Sequence, residues 1–318
     1  MVMNTPPLSV LSSWHRQKPG AHVSSMEHHH AIFDRHTVRL HRDRAADTLD
    51  GVSAVLEEAA DRLIERLDDL TRSFPLALDI GGRGATASSL QMRGIEVVSS
   101  DLSPRMARYV RDRTGTMTVC ADEEFLPFAE NSFDLVIASL SLPWVNDLPG
   151  ALLQIRKILK PDGLFLASMP VLPTLAPLRS GFEEAELALS GGVSPHVSPF
   201  PTLRDCASLL QRAGFALPVV DADVMDIRYR SGLSVFRDLR AAGETNALTL
   251  RDRRIPARTL FPASLAELAE KCGDKEGILS LPLHLAVMSA WAPAPTQPTP
   301  LAPGQFTTSL RDALGNPD

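Results

Sequence analysis

Short apolar runs alternate along the chain with stretches whose apolar residues return at helical spacing. FPLALDI (74 to 80), GIEVVSSD (94 to 101), SFDLVIAS (132 to 139) and GLFLASM (163 to 169) read as buried strands. ATASSLQMRG and the stretch from Leu148 to Ile158 lie between them with helical patterning, and a Pro-Asp-Gly turn precedes the last run. Strand, loop, helix, turn, strand is the repeating unit of an open α/β sheet. VVDADVMDIRY (219 to 229) and LPLHLAVMSAWAP (281 to 293) supply two further strands, and TLRDCASLLQRAGF is a helix stopped at Gly214.

Polar residues cluster where these strands end. The first run closes on Asp79 and a Gly-rich turn with Gly81, Gly82 and Gly84, then a helix begins. Glycines there let the backbone approach a ligand, and the helix start offers unpaired N–H groups to an anion. The second run ends on Asp101, followed by Leu102, roughly 20 residues beyond the glycines, where a ribose-binding carboxylate is expected. Asp122 and Glu123 follow a third strand, and Ser139 closes the fourth. A Gly loop by itself marks ordinary turns more often than cofactor sites. Its order with the acids is more specific, because all converge on the carboxyl edge of one parallel sheet.

LALDIGGRG, VVSSDLSPRMA, ADEEFLPFAENSFDLV and LKPDGLFLASM resemble the class I S-adenosylmethionine-dependent methyltransferases. The resemblance narrows on IFDR (32 to 35), ADEEFLPFAENSFDLVIASLSLPWVNDLPGAL, GGVSPHVSPF (191 to 200) and LLQRAGF. These strings are similar to the family of mitochondrial complex I assembly factor 5 and its bacterial relatives, over most of residues 31 to 250. The resemblance implies a Rossmann-like, seven-stranded sheet with helical cap insertions. It implies S-adenosylmethionine as cofactor, with Asp79, Gly81, Gly82 and Gly84 at its methionine end, Asp101 and Leu102 at the ribose, Asp122 and Glu123 at the adenine, and Ser139 facing the reaction centre. It also implies a protein substrate, a respiratory-complex subunit, modified by arginine hydroxylation.

Two departures matter. The loop between Asp79 and Gly84 is one residue shorter than the usual methyltransferase loop, and Pro143 stands where relatives commonly carry His. Two other readings therefore stay open beside the first: carboxyl O-methylation of a carrier-bound acid in biotin synthesis, and a non-catalytic assembly factor on the same fold. A dinucleotide oxidoreductase shares the Gly loop and the acid of the second strand, but the ADEEFLPF element argues against it.

The 318 residues divide into a disordered N-terminus (1–30), a helical segment packing on the core (31–73), a methyltransferase-like domain (74–291) and a Pro-rich disordered tail (292–318). Cap insertions are expected near 171–197 and 231–280. VLEEAADRLIERLDDL (55 to 70) carries the amphipathic pattern of a helix lying on the sheet or roofing the cofactor.

A hydrophobic content of 44% suffices for a core, and a net charge of −6 disfavours a general nucleic-acid binder. No apolar run approaches the ~20 residues of a membrane span. Cys120, Cys206 and Cys272 have no metal or disulfide spacing and fit a reducing compartment, the bacterial cytoplasm or alternatively the mitochondrial matrix. His28 to His30 read as a solvated tract. His41 and Asp43 stand two apart, which on a helix does not place them on one face, so no metal site is expected. No catalytic residue is nominated. His196 is a candidate for substrate contact, and RDRRIPAR (251 to 258) reads as a solvated basic loop.

Overall fold

The computed structural model describes residues 31–298. The expectations for residues 1–30, the His28–His30 tract among them, and for residues 299–318 lie outside the described residues.

Among the described residues, seven strands form one sheet: β1 (Leu76–Ile80), β2 (Glu96–Asp101), β3 (Met117–Cys120), β4 (Phe133–Ser139), β5 (Leu159–Pro170), β6 (Ala216–Tyr229) and β7 (Leu279–Trp291). Their order is β3-β2-β1-β4-β5-β7-β6. The first five run parallel, and β7 pairs antiparallel with both β5 and β6. The order reverses between β1 and β4, and a crevice opens outside the carboxyl ends of strands at such a switch point. Every side chain of β1 after Leu76 is buried, as a strand covered on both faces requires.

Helices cover both faces. Leu63 and Ile64 of α2 (Ser53–Ile64), with Ala87 and Leu90 of α3 (Ala85–Met92), meet Ala77, Leu135 and Leu166. On the other face, Leu152 and Ile155 of α5 (Leu148–Ile158) and Leu210 of α7 (Leu203–Arg212) meet Leu78, Val136 and Phe165. Local chemistry fixes the helix starts: Ser103 caps α4 (Pro104–Thr114), Asp147 caps α5, and Thr202 with Asp205 closes a capping box on α7.

β6 and β7 stay paired from Ala216↔Trp291 to Tyr229↔Leu279, far past the parallel strands. This ribbon carries α6 (Ala176–Ser190), α8 (Gly232–Ala241) and α9 (Leu260–Cys272). Leu178, Phe182, Val235, Leu260 and Leu268 from the helices join Leu279 and Leu281 in a separate apolar cluster. α6 and α9 approach closely at Gly181, where an added Cβ would lie 3.0 Å from the Ser264 carbonyl oxygen.

Three elements differ from the pattern expected of the sequence. The 31–73 segment is not helical throughout: α1 (Arg35–Ala45) and α2 are joined by a short 3-10 turn, and Phe33 bridges Leu248 instead. The Pro-Asp-Gly element lies inside β5, where the pairing with β4 shifts between Phe133 and Leu135. The tail does not come free at 292, because Ala292 N donates to Gly163 O at 2.8 Å and Gln297 donates to Asp162 at 2.9 Å. Among the described residues no helix is long and apolar enough to cross a membrane.

Candidate cofactor crevice and capped cavity

At the carboxyl end of β1 the shortened loop folds back on its own strand. Gly81 (φ 62°), Arg83 (φ 54°) and Gly84 (φ 93°) all take left-handed backbone, and Gly84 is the N-cap of α3. A Cβ on Gly82 would lie 2.1 Å from Asp79 Oδ1 and 1.8 Å from Thr86 Oγ1. The loop thus seals Asp79, which is 1% exposed. Burial pushes the Asp79 carboxyl up to about 7, and the Asp101 charge adds to this. The Thr86 and Ser99 hydroxyls and the Gly82 N–H oppose the rise without forming a hydrogen bond of full geometry.

Asp101 and Glu123 are also buried, and the group between them is the guanidinium of Arg42 from α1. Arg42 Nη1 donates to Glu123 Oε1 at 2.8 Å and to Asp101 Oδ2 at 3.3 Å, while Nη2 reaches Ser141 O at 3.4 Å. The same guanidinium stands 3.1 Å from where a Gly81 Cβ would be. One helical repeat earlier, Arg35 pairs with Asp122 and Glu123 and donates to Trp144 O at 3.0 Å. Residues seven apart share a helix face, so α1 lays both arginines across the ends of β2, β3 and β4.

The charges settle accordingly. Burial works to raise Glu123, but Arg42 and Arg35 outweigh it and hold the carboxyl below its ordinary range. Burial keeps Asp101 above its ordinary value against the pull of Arg42, and the Glu123 charge adds to the rise. Burial alone would lower Arg42, yet Glu123 and Asp101 hold it firmly protonated. A buried arginine is stable only where such partners offset its desolvation.

The other expected residues are placed as follows. Leu102 packs on the cluster of Phe33, Val38 and Trp144. Gly84 turns away, its nearest neighbour being Thr114. Ser139, expected to face the reaction centre, lies with its hydroxyl 3.3 Å from the Ser168 hydroxyl in the sheet. The next residue, Leu140 (φ 54°), faces the open space in its stead. His41 and Asp43 point apart, to Thr245 (2.9 Å) and Ser103 (2.5 Å).

That open space is a cavity of about 480 Å³ between the ends of β4 and β5 and the cap. Its wall is mainly apolar, with Phe182, Phe236, Phe261 and Tyr229 among the lining residues and Pro143 at its inner end. Arg83, Trp144 and Glu244 bound it toward the crevice. Trp144 Nε1 donates to Glu244 at 2.5 Å, and Arg83 pairs with Glu244 and donates to Leu140 O at 3.2 Å. His196 lines the cavity too, stacked on Phe182 at 4.4 Å. Its Nε2 faces both Glu186 (3.0 Å) and Ser194 (3.2 Å). A nucleophile relay needs acid and hydroxyl on opposite ring nitrogens, so this trio shapes the 191–198 loop and does not activate Ser194.

Comparison with known proteins agrees with this architecture. Residues 78–167 match the family described as Methyltransferase domain. The chain is 38% identical over 286 residues to the protein named Arginine-hydroxylase NDUFAF5, mitochondrial, of Danio rerio, covering 88% of this chain and 89% of the relative. The chain belongs to the NDUFAF5 family. It is also 32% identical to the Malonyl-[acyl-carrier protein] O-methyltransferase of Xylella fastidiosa (strain M23), over 82% of this chain and 89% of that protein. A Bacillus halodurans structure solved as a candidate methyltransferase superposes with a TM-score of 0.53 at 16% identity, covering 74% of this chain and 99% of that one. The fold is therefore that of the class I methyltransferases, carried by a member of the NDUFAF5 family.

S-adenosylmethionine, the cofactor of that fold, needs room between the Gly loop and the ribose carboxylate. In this family member the room is filled: Arg42 is 1% exposed and holds Asp101 and Glu123 itself. With α1 in place the residues do not fit the cofactor. The arginines were not singled out in the sequence, although Arg35 belongs to the IFDR string and Arg42 lies two turns on.

Proposed function

We propose that the chain modifies a side chain of a partner protein, as its relatives named arginine hydroxylases do, with the target entering the cavity beneath the cap. The carrying observation is the 38% identity to NDUFAF5 over 88% of the chain, beside a capped cavity that Trp144, His196 and Glu244 help to line. The mainly apolar wall suits the methylene stem of an arginine, and Asp238 on the cap side supplies a carboxyl group for its polar head. Burial raises the Asp238 carboxyl. The partner implied by the resemblance is a respiratory-complex subunit, and the cofactor implied by the fold is S-adenosylmethionine.

Carboxyl methylation of a carrier-linked acid is the second reading. The 32% identity to a malonyl-carrier methyltransferase favours it, and an apolar cavity also accepts an acyl chain. Mass spectrometry separates the two. The purified chain would be incubated with S-adenosylmethionine and, in parallel, with an arginine peptide from the partner subunit in aerated buffer containing a two-electron reductant, so that one oxygen atom of O2 enters the peptide and the other leaves as water, or with a carrier-linked malonyl thioester. The proposal expects an added oxygen on the peptide and no change on the thioester. A methylated thioester beside an unchanged peptide would overturn it in favour of the second reading.

A further inference from the structure

We infer that α1 is a strap whose Arg42 occupies the cofactor's ribose carboxylate, so that S-adenosylmethionine and Arg42 compete for Asp101 and Glu123. The inference rests on reading those two acids as cofactor contacts, and it adds a residue that controls access to them. Arg42 crosses 59 residues of sequence to Asp101 and 81 to Glu123. Two Arg42 donors reach carboxylates and a third reaches a carbonyl, in the space the Gly loop leaves open. A ribose diol would offer Asp101 two hydroxyl donors in place of one guanidinium, so the exchange keeps that carboxylate paired.

The strap is also tied to the cap. Asp34 N donates to Ala247 O at 2.8 Å, Thr249 N to Ile32 O at 2.9 Å, and the Thr245 hydroxyl meets His41 at 2.9 Å. Arg251 reaches Asp34 and Thr37. This segment begins next to Glu244, the residue that closes the cavity toward the crevice. Lifting α1 to admit a cofactor therefore strains the segment of residues 245–251 and loosens the cavity wall. Cofactor entry and opening of the cavity become one motion.

Titration calorimetry with S-adenosylhomocysteine tests the competition. If the strap is open in a tenth of molecules or fewer, apparent affinity is reduced about tenfold or more. Arg42→Gln is then expected to bind at least about tenfold more tightly than the native chain, and adding Asp101→Asn to that variant is expected to remove the gain. Equal or weaker binding by Arg42→Gln, with Asp101→Asn still lowering native affinity, overturns the strap and leaves the cofactor reading standing. Indifference to Asp101→Asn in both backgrounds, or no binding by either protein, overturns that reading and the strap with it. Because Arg42→Gln strips a partner from two buried acids and can impair folding, hydrogen exchange on the native chain gives a second measurement. Saturating S-adenosylhomocysteine is expected to speed exchange across residues 35–45, and slower exchange there would overturn the strap.

Discussion

The indole N–H of Trp144 donates to Glu244 at 2.5 Å, and this one bond joins the turn after β4 to the segment after α8. Glu244 spends its other oxygen on Arg83 of the Gly loop, so three distant segments meet at a single carboxylate. Glu244→Gln should leave the Arg83 charge, 2% exposed, without its counter-ion, and Glu244 is itself only partly buried. A loss of about 2–3 kcal/mol is expected, toward the lower end for a broken buried pair. Trp144→Phe should cost about 1.5–3 kcal/mol, the scale of one hydrogen bond to a charged acceptor. Urea unfolding of both variants checks this, and a loss under about 1 kcal/mol for Glu244→Gln would contradict the role assigned to the ion pair.

The tight fold-back of the Gly loop predicts an intolerant position. Gly82→Ala would place a methyl 1.8 Å from Thr86 Oγ1 and 2.1 Å from Asp79 Oδ1. An overpacking loss of about 1–3 kcal/mol is expected in thermal or urea unfolding. Gly51→Ala, with open space around its Cβ position, serves as the matched control and should change little by the same clash.

Asp79 gives the stability a pH dependence of definite sign. Its folded value, about 7, lies above the ordinary carboxylate value, so the native state binds the proton more strongly than the unfolded chain. The stabilisation is fully present below about pH 4 and is lost as the pH rises through about 7. Asp79→Asn removes this loss. Relative to the native chain, the variant should gain roughly 1 kcal/mol or more between about pH 5 and about pH 8 in paired urea titrations. A constant difference across that window would show that Asp79 is ionised throughout.

The cap depends on Phe182, which stacks on His196 and meets Phe236 and Phe261 at 5.8 and 5.7 Å. Phe182→Ala should cost about 3–5 kcal/mol if the cap unfolds with the sheet. A loss under about 1 kcal/mol, or a separate early transition, would mean that the cap folds as its own unit.

Much of the sheet was legible in the chain because buried parallel strands are written as continuous apolar runs, LALDI and FDLVIAS among them. The acids Asp79, Asp101 and Glu123 were legible for the same reason, since they fall where those runs stop. Arg42 was not, because its partners lie 59 and 81 residues away and an arginine on an amphipathic helix ordinarily faces solvent. Ser139 was misplaced by one residue of strand parity: at the end of β4 its hydroxyl turns to Ser168, while Leu140 faces the cavity. The cavity had no local signature, since its wall draws on α2, α6, α8, α9 and both strands of the long ribbon.

The function proposed for the chain is modification of a side chain of a partner protein. Its most direct test is peptide mass mapping of the respiratory-complex subunits, purified from cells that carry the gene and from the same cells without it. One subunit arginine is expected to gain an oxygen only where the gene is present, and restoring the native chain is expected to restore the gain. Identical subunit masses in the two preparations would contradict it.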